Sequence, residues 1–76
     1  MDVSMRYEEV NGHRISGAVS LDIDNGEFVA SVHNFGAPIH SSYHSLPYET
    51  RADADERMQR EFDDEVEFSN AYPFIV

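Results

Sequence analysis

The 76-residue chain contains no cysteine and no lysine. Without cysteine there is neither a disulfide nor a thiolate metal site to staple so small a domain, a composition that suits a reducing cytosol. No apolar run approaches the roughly 18 residues that a membrane span needs. The N-terminus, MDVSMRYEEV, is too polar for a signal peptide, so a soluble, cytoplasmic protein is the expectation. Signatures of catalysis are missing as well. The glycines stand isolated at positions 12, 17, 26 and 36, which leaves no loop to cradle a phosphate, and no nucleophile elbow arranges the serines, histidines and aspartates. The residues imply no enzyme and no cofactor.

Acid is what the chain has in excess. Fifteen Asp and Glu face five basic residues, all arginine, for a formal charge of −10. A field of that sign repels nucleic acid and attracts basic partners. Acids spread evenly would mean solubility or adaptation to salt, whereas acids gathered on one face would mean a binding surface.

The patterning organises around residues 13–24, HRISGAVSLDID, set between two Asn-Gly pairs at 11–12 and 25–26. Asn-Gly is a strong hairpin signal because both residues tolerate positive φ. Between the pairs Ile15, Gly17, Val19, Leu21 and Ile23 alternate with Ser16, Ser20 and Asp22, the period of a half-buried strand. A first strand over about residues 3–10 precedes it. A strict two-residue turn at Asn11-Gly12 would set Tyr7 beside Ser16 and put the two apolar sets on opposite faces, so a three-residue loop with a bulge at Gly12 is expected, with Tyr7 opposite Ile15. At Asn25-Gly26 a two-residue loop already matches the apolar sets, pairing Ile23 with Phe28 and Val19 with Val32. The third strand then covers about 27–35. Its second face, Val29, His33 and Phe35, is too apolar for a plain solvent face and is a candidate surface for a homodimer.

A fourth strand is expected at 39–45, stopped by Pro47. Thr50 opens a helix over about 51–64 as its N-cap, with Asp53 three residues on. Ala54, Met58 and Phe62 form its apolar stripe, which should lie on Ile15, Val19 and Leu21. Val66 and Phe68 alternate with Glu65 and Glu67, which suggests a short extra strand, and 71–76 is an apolar tail that packs on the core or on a partner chain. The reading is a single α+β domain over 1–76: an antiparallel meander of three to four strands, covered on one face by one helix from the C-terminal half.

Two clusters bear on function. His40 and His44 stand four apart, but prolines flank them and no nearby carboxylate supports them, so they read as edge residues and no metal site is inferred. Residues 49–67 hold nine acids against three arginines. The spacing allows pairs between Asp53 and Arg57 and between Glu56 and Arg60, leaving Glu61, Asp63, Asp64, Glu65 and Glu67 crowded at the helix's C-terminal end, where the dipole opposes them. With Asp53, Asp55 and Glu56 they make the candidate partner-binding surface.

Small size, strong acidity and a meander followed by one capped helix resemble small phage-encoded anti-CRISPR inhibitors. That likeness implies a basic nucleic-acid-binding protein as partner, such as a CRISPR effector whose DNA channel the acids would fill in the host cytoplasm. The order Gly26-Glu27-Phe28-Val29-Ala30-Ser31-Val32, then a turn, then a helix opened by Thr50, is similar to HicB-like antitoxin domains. It departs from them at Leu46-Pro47-Tyr48-Glu49, where they carry a Gly-Asp pair. The second likeness implies a homodimeric binding module that acts through its sheet.

Overall fold

Asn11 and Gly12 both adopt positive φ, 51° and 86°, the signature of a two-residue type I′ turn. The structure, a computed structural model, describes residues 1–35 and 42–73, with 42–45 described by backbone alone. The strands are β1 (Asp2–Val10), β2 (His13–Asp22), β3 (Glu27–Asn34) and β4 (Ser42–Tyr48), followed by helix α1 (Arg51–Ala71). The strands form one antiparallel sheet in the order β1-β2-β3-β4, and α1 packs on one face. This is the expected α+β meander.

Its registers differ from expectation at both turns. Val10 pairs directly with His13, Tyr7 with Ser16 and Glu8 with Ile15, so the bulge expected at Gly12 is absent. An irregularity occurs instead between Asp2 and Ser4, which pair with Ser20 and Val19. The tight turn prevails because its twist matches that of the strands it joins. Met5 and Tyr7 therefore point away from α1 and are exposed. The inward position falls to Arg6, whose guanidinium lies 4.0 Å over the Phe62 ring and bonds Asp63 at 2.9 Å and Gln59 at 2.6 Å. An arginine closes the rim of the core where an apolar side chain was expected.

The second turn is the longer one. Asp22 pairs with Glu27, Leu21 with Phe28 and Val19 with Ala30, leaving residues 23–26 as a four-residue loop. The Asp22 side chain accepts from the Asp24 amide at 3.0 Å, and that of Asn25 accepts from the Glu27 amide at 3.0 Å. These local bonds give the backbone an alternative to the two-residue turn. The register moves by two residues, an even number, so every face is kept. Ile23 is lost from the core, at 79% exposed, and Leu21, expected under the helix, is half-buried and outside it.

β4 ends later than expected and runs through Pro47, which pairs with Val29. A proline is tolerated there because β4 is an edge strand. The first residues of the expected strand, 39–41, lie outside the described residues.

Thr50 caps α1 as expected, in extended backbone geometry, its Oγ1 accepting from the Asp53 amide at 3.2 Å. The helix does not stop at residue 64. It continues to Ala71, so the strand expected around Val66 and Phe68 and the turn at Ser69-Asn70 are both helix. Val66 and Ser69 continue the stripe from Phe62 in steps of four and three residues, and propagating an existing helix costs little. The core is Ile15, Val19, Ala30, Val32, Ala54, Met58 and Phe62, all buried, flanked by Val3, Val10, Phe28, Tyr48 and Val66.

Candidate interaction surfaces

At about 100° per residue, the buried stripe of α1 and its solvent ridge can be read from residue numbers. Ala54, Met58 and Phe62 centre on the sheet. Asp53, Glu56, Arg60, Asp64 and Glu67 fall within about 80° of one another on the opposite side, along about 21 Å of axis, and all five are exposed. None of the five has an ion-pair partner among the described residues.

The other four predicted acids are engaged. Asp55 pairs with Arg51 at 3.5 Å and Glu61 with Arg57 at 2.6 Å. Asp63 holds Arg6, and Glu65 accepts from Asn34 at 2.9 Å. The expected pairs Asp53–Arg57 and Glu56–Arg60 are thus replaced by pairs one step out of phase. Arg57 turns to the flank, where Glu61 is half-sheltered by the sheet and a charge-assisted bond is stronger than one on the open ridge. Nor is the acidic run at the dipole's negative end. It finishes a full turn before Ala71, where the dipole effect has faded.

The opposite face of the sheet is uncovered among the described residues. Cross-strand register places Val29 and His33 there with Ser16, Ala18 and Ser31, and Met5 and Tyr7 join them from β1. Met5 is 73% exposed, Tyr7 57% and Phe35 42%. The His33 and Phe35 rings lie 3.7 Å apart, and Tyr7, Arg14 and Phe35 line a shallow cavity of about 160 Å³. Partial desolvation on this face, then the bond to Glu9 at 3.0 Å and its negative charge, hold the Tyr7 phenol above its ordinary 10.0. The expected face was Val29, His33 and Phe35. Met5 and Tyr7 were missed because the turn length that turns them outward is a local choice.

A third feature went unread. His13, Asn34 and Ser69 are buried polar residues, at the end of the sheet where α1 finishes. Asn34 Nδ2 donates to Glu65 Oε2 at 2.9 Å and to Ser69 Oγ at 3.2 Å, which leaves its Oδ1 facing His13 Nδ1 at 3.1 Å. His13 Nε2 faces the Tyr72 carbonyl at 2.8 Å, and Phe68 stacks against Tyr72 with ring centroids 4.9 Å apart. Both imidazole nitrogens thus face oxygen atoms, which fixes the plane of the ring. The signal was available: His13 is in phase with Ile15, Gly17 and Val19, and that phase is the buried one.

Of the two other histidines singled out in the sequence, His40 lies outside the described residues and His44 pairs through its backbone with Val32. In the apolar tail Tyr72 lies against the His13 network, and residues 74–76 lie outside the described residues. Among the described residues no group of three His, Cys, Asp or Glu is placed to hold a metal, and no helix is long and apolar enough to cross a membrane. No family model, no curated protein and no solved structure matches this chain.

Proposed function

We propose that the protein is a non-enzymatic binding module that presents the outer ridge of α1 to a basic, nucleic-acid-binding surface of a protein partner and so competes with nucleic acid, as an anti-CRISPR-type inhibitor does. The observation that carries this reading is the line of Asp53, Glu56, Asp64 and Glu67, four carboxylates around a single Arg60 with no ion pair among the described residues, on a helix whose far side is locked to the sheet. Acids held at fixed spacing on a rigid support lose little freedom on binding, and their field steers a basic partner. Asp63 and Glu65 belong to the support: they hold Arg6 and Asn34, and reversing them disturbs the fold before it tests binding.

The test is capture of basic proteins from bacterial lysate on immobilised protein, with duplex DNA as competitor. The expected result is retention of nucleic-acid-binding proteins that added DNA releases and that rising salt weakens, because screening shortens such interactions to about 8–10 Å. The double variant D64R/E67R should lose the capture while its circular dichroism stays unchanged. Capture indifferent to that variant, or not displaced by DNA, overturns the reading.

A further inference from the structure

We propose that the face of the sheet opposite α1 is where two copies of this chain meet, packed sheet to sheet with their helices on the two outsides.

Charge names the occupant. The chain carries −10, yet the middle of this face, from Met5 and Tyr7 across Ser16 and Ala18 to Val29 and His33, holds no acid. A basic partner finds carboxylates only at the ends of the face, where Asp2, Glu9, Asp22 and Glu27 stand. A second copy is repelled in any arrangement that brings the acidic helices together, and the face-to-face arrangement keeps them furthest apart. With sheets about 10 Å apart and a helix of about 10 Å thickness on each outer side, the two ridges stand roughly 30 Å or more from each other, several screening lengths.

The ends of the face differ in charge. At one end Arg14 is exposed opposite Glu9, with its guanidinium 5.9 Å from the centre of the Phe35 ring and no ion pair among the described residues, so that end balances one cation against one acid. At the other, Asp22 and Glu27 face each other across the ladder on the same side of the sheet, also without a cation. A two-fold axis lying in the interface and crossing the strands sets the Arg14 end of each copy over the Asp22 and Glu27 end of the other. This is the isologous geometry that closed dimers use, and the sheets then pack as in a sandwich.

The area is adequate. Strands about 4.8 Å apart and roughly 25 Å long give a projected face of roughly 400–500 Å², and side-chain relief raises the accessible area towards the roughly 800 Å² per partner of a stable interface. The small side chains of Ser16, Ala18 and Ser31 at the centre allow close approach, while Met5, Tyr7 and Phe35 supply the apolar anchors.

Sedimentation velocity over a dilution series from millimolar to micromolar chain tests this. The expected result for the wild type is twice the chain mass, falling to one on dilution. M5E and F35R should each raise the dissociation constant at least tenfold, and R14E should do so too, with dimerisation restored in the triple variant R14E/D22R/E27R. D64R/E67R should dimerise like the wild type, which separates this inference from the reading of the helix ridge. Because M5E or F35R could unfold, amide chemical shifts of the wild type alone give a second measurement. Those of Tyr7, Ala18, Ser31 and His33 should move with concentration, while those on the α1 ridge stay still. A wild type that remains one chain at millimolar concentration overturns the proposal. So does a dimer whose shifts cluster along the free edge of β1, or one that M5E and F35R leave unchanged.

Discussion

Gly17 lies where α1 comes closest to the sheet. A Cβ built there would stand 2.8 Å from Met58 Sδ and 2.9 Å from Phe62 Cδ2, inside any contact that real atoms keep. Its backbone is ordinary strand, so the requirement is for space and not for unusual dihedral angles. G17A is therefore expected to destabilise the protein by about 1–3 kcal/mol through overpacking, read as a lower urea midpoint at unchanged slope. Tyr7 makes a different residue-scale prediction. Desolvation, the bond to Glu9 and that residue's charge all favour the neutral phenol, so its titration lies above 10.0. The folded form binds this proton more tightly than the unfolded chain does, so the associated stability is present below the ordinary tyrosine range and is lost as pH rises through the folded value. In E9A the ¹³Cζ titration of Tyr7 should move down towards 10, with the other tyrosines unmoved; a Tyr7 curve that does not shift refutes the assignment to Glu9.

At the scale of elements, the helix is held at both ends by different chemistry. Its start relies on the Thr50 cap, and its middle on Ala54, Met58 and Phe62. Its last turns carry little apolar burial and rely on His13, Asn34 and Ser69. Removing the amide in N34A leaves His13, Ser69 and Glu65 each short of a partner, at an expected cost of about 2–3 kcal/mol. The loss should be local as well as global: amides of residues 66–71 should exchange faster with solvent, while those near Met58 keep most of their protection. Exchange that accelerates evenly along α1 would mean that the network is not what fastens this end.

The strengths and gaps of the sequence reading divide along the same line. Alternation in β2 and β3, the Thr50 cap and the four-residue spacing to Phe62 are repeated, one-dimensional signals, and each led to the correct face. The two Asn-Gly pairs look alike in sequence yet close differently, because the deciding bonds come from Asp22 and Asn25 side chains to nearby amides. The end of α1 was misplaced because a four-residue alternation around Val66 fits strand and helix equally. Among the acids, the sequence shows abundance but not company: Asp63 meets Arg6 across 57 positions, a pairing that no local spacing announces.

For the whole molecule, the faces separate by charge. One outer side is the acidic ridge of α1, and the other is a sheet face with an uncharged middle, an aromatic corner and acids at its ends. A chain of this length buries only about 60% of its unfolded surface, and a four-stranded sheet with one helix covers a single face of that sheet. Joining two such sheets would add the missing layer, and the melting temperature would then rise with chain concentration. The same pairing would leave two ridges pointing outwards, so a dimer would engage two basic surfaces at once.

The turn at Asn11-Gly12 also makes the family history of such a protein sensitive to a single codon. One residue inserted there would rotate β1 by half a pleat, sending Met5 and Tyr7 under the helix and Arg6 out to solvent. A lineage could gain or lose its outer apolar face through an insertion at a surface turn, with no substitution in the strand itself.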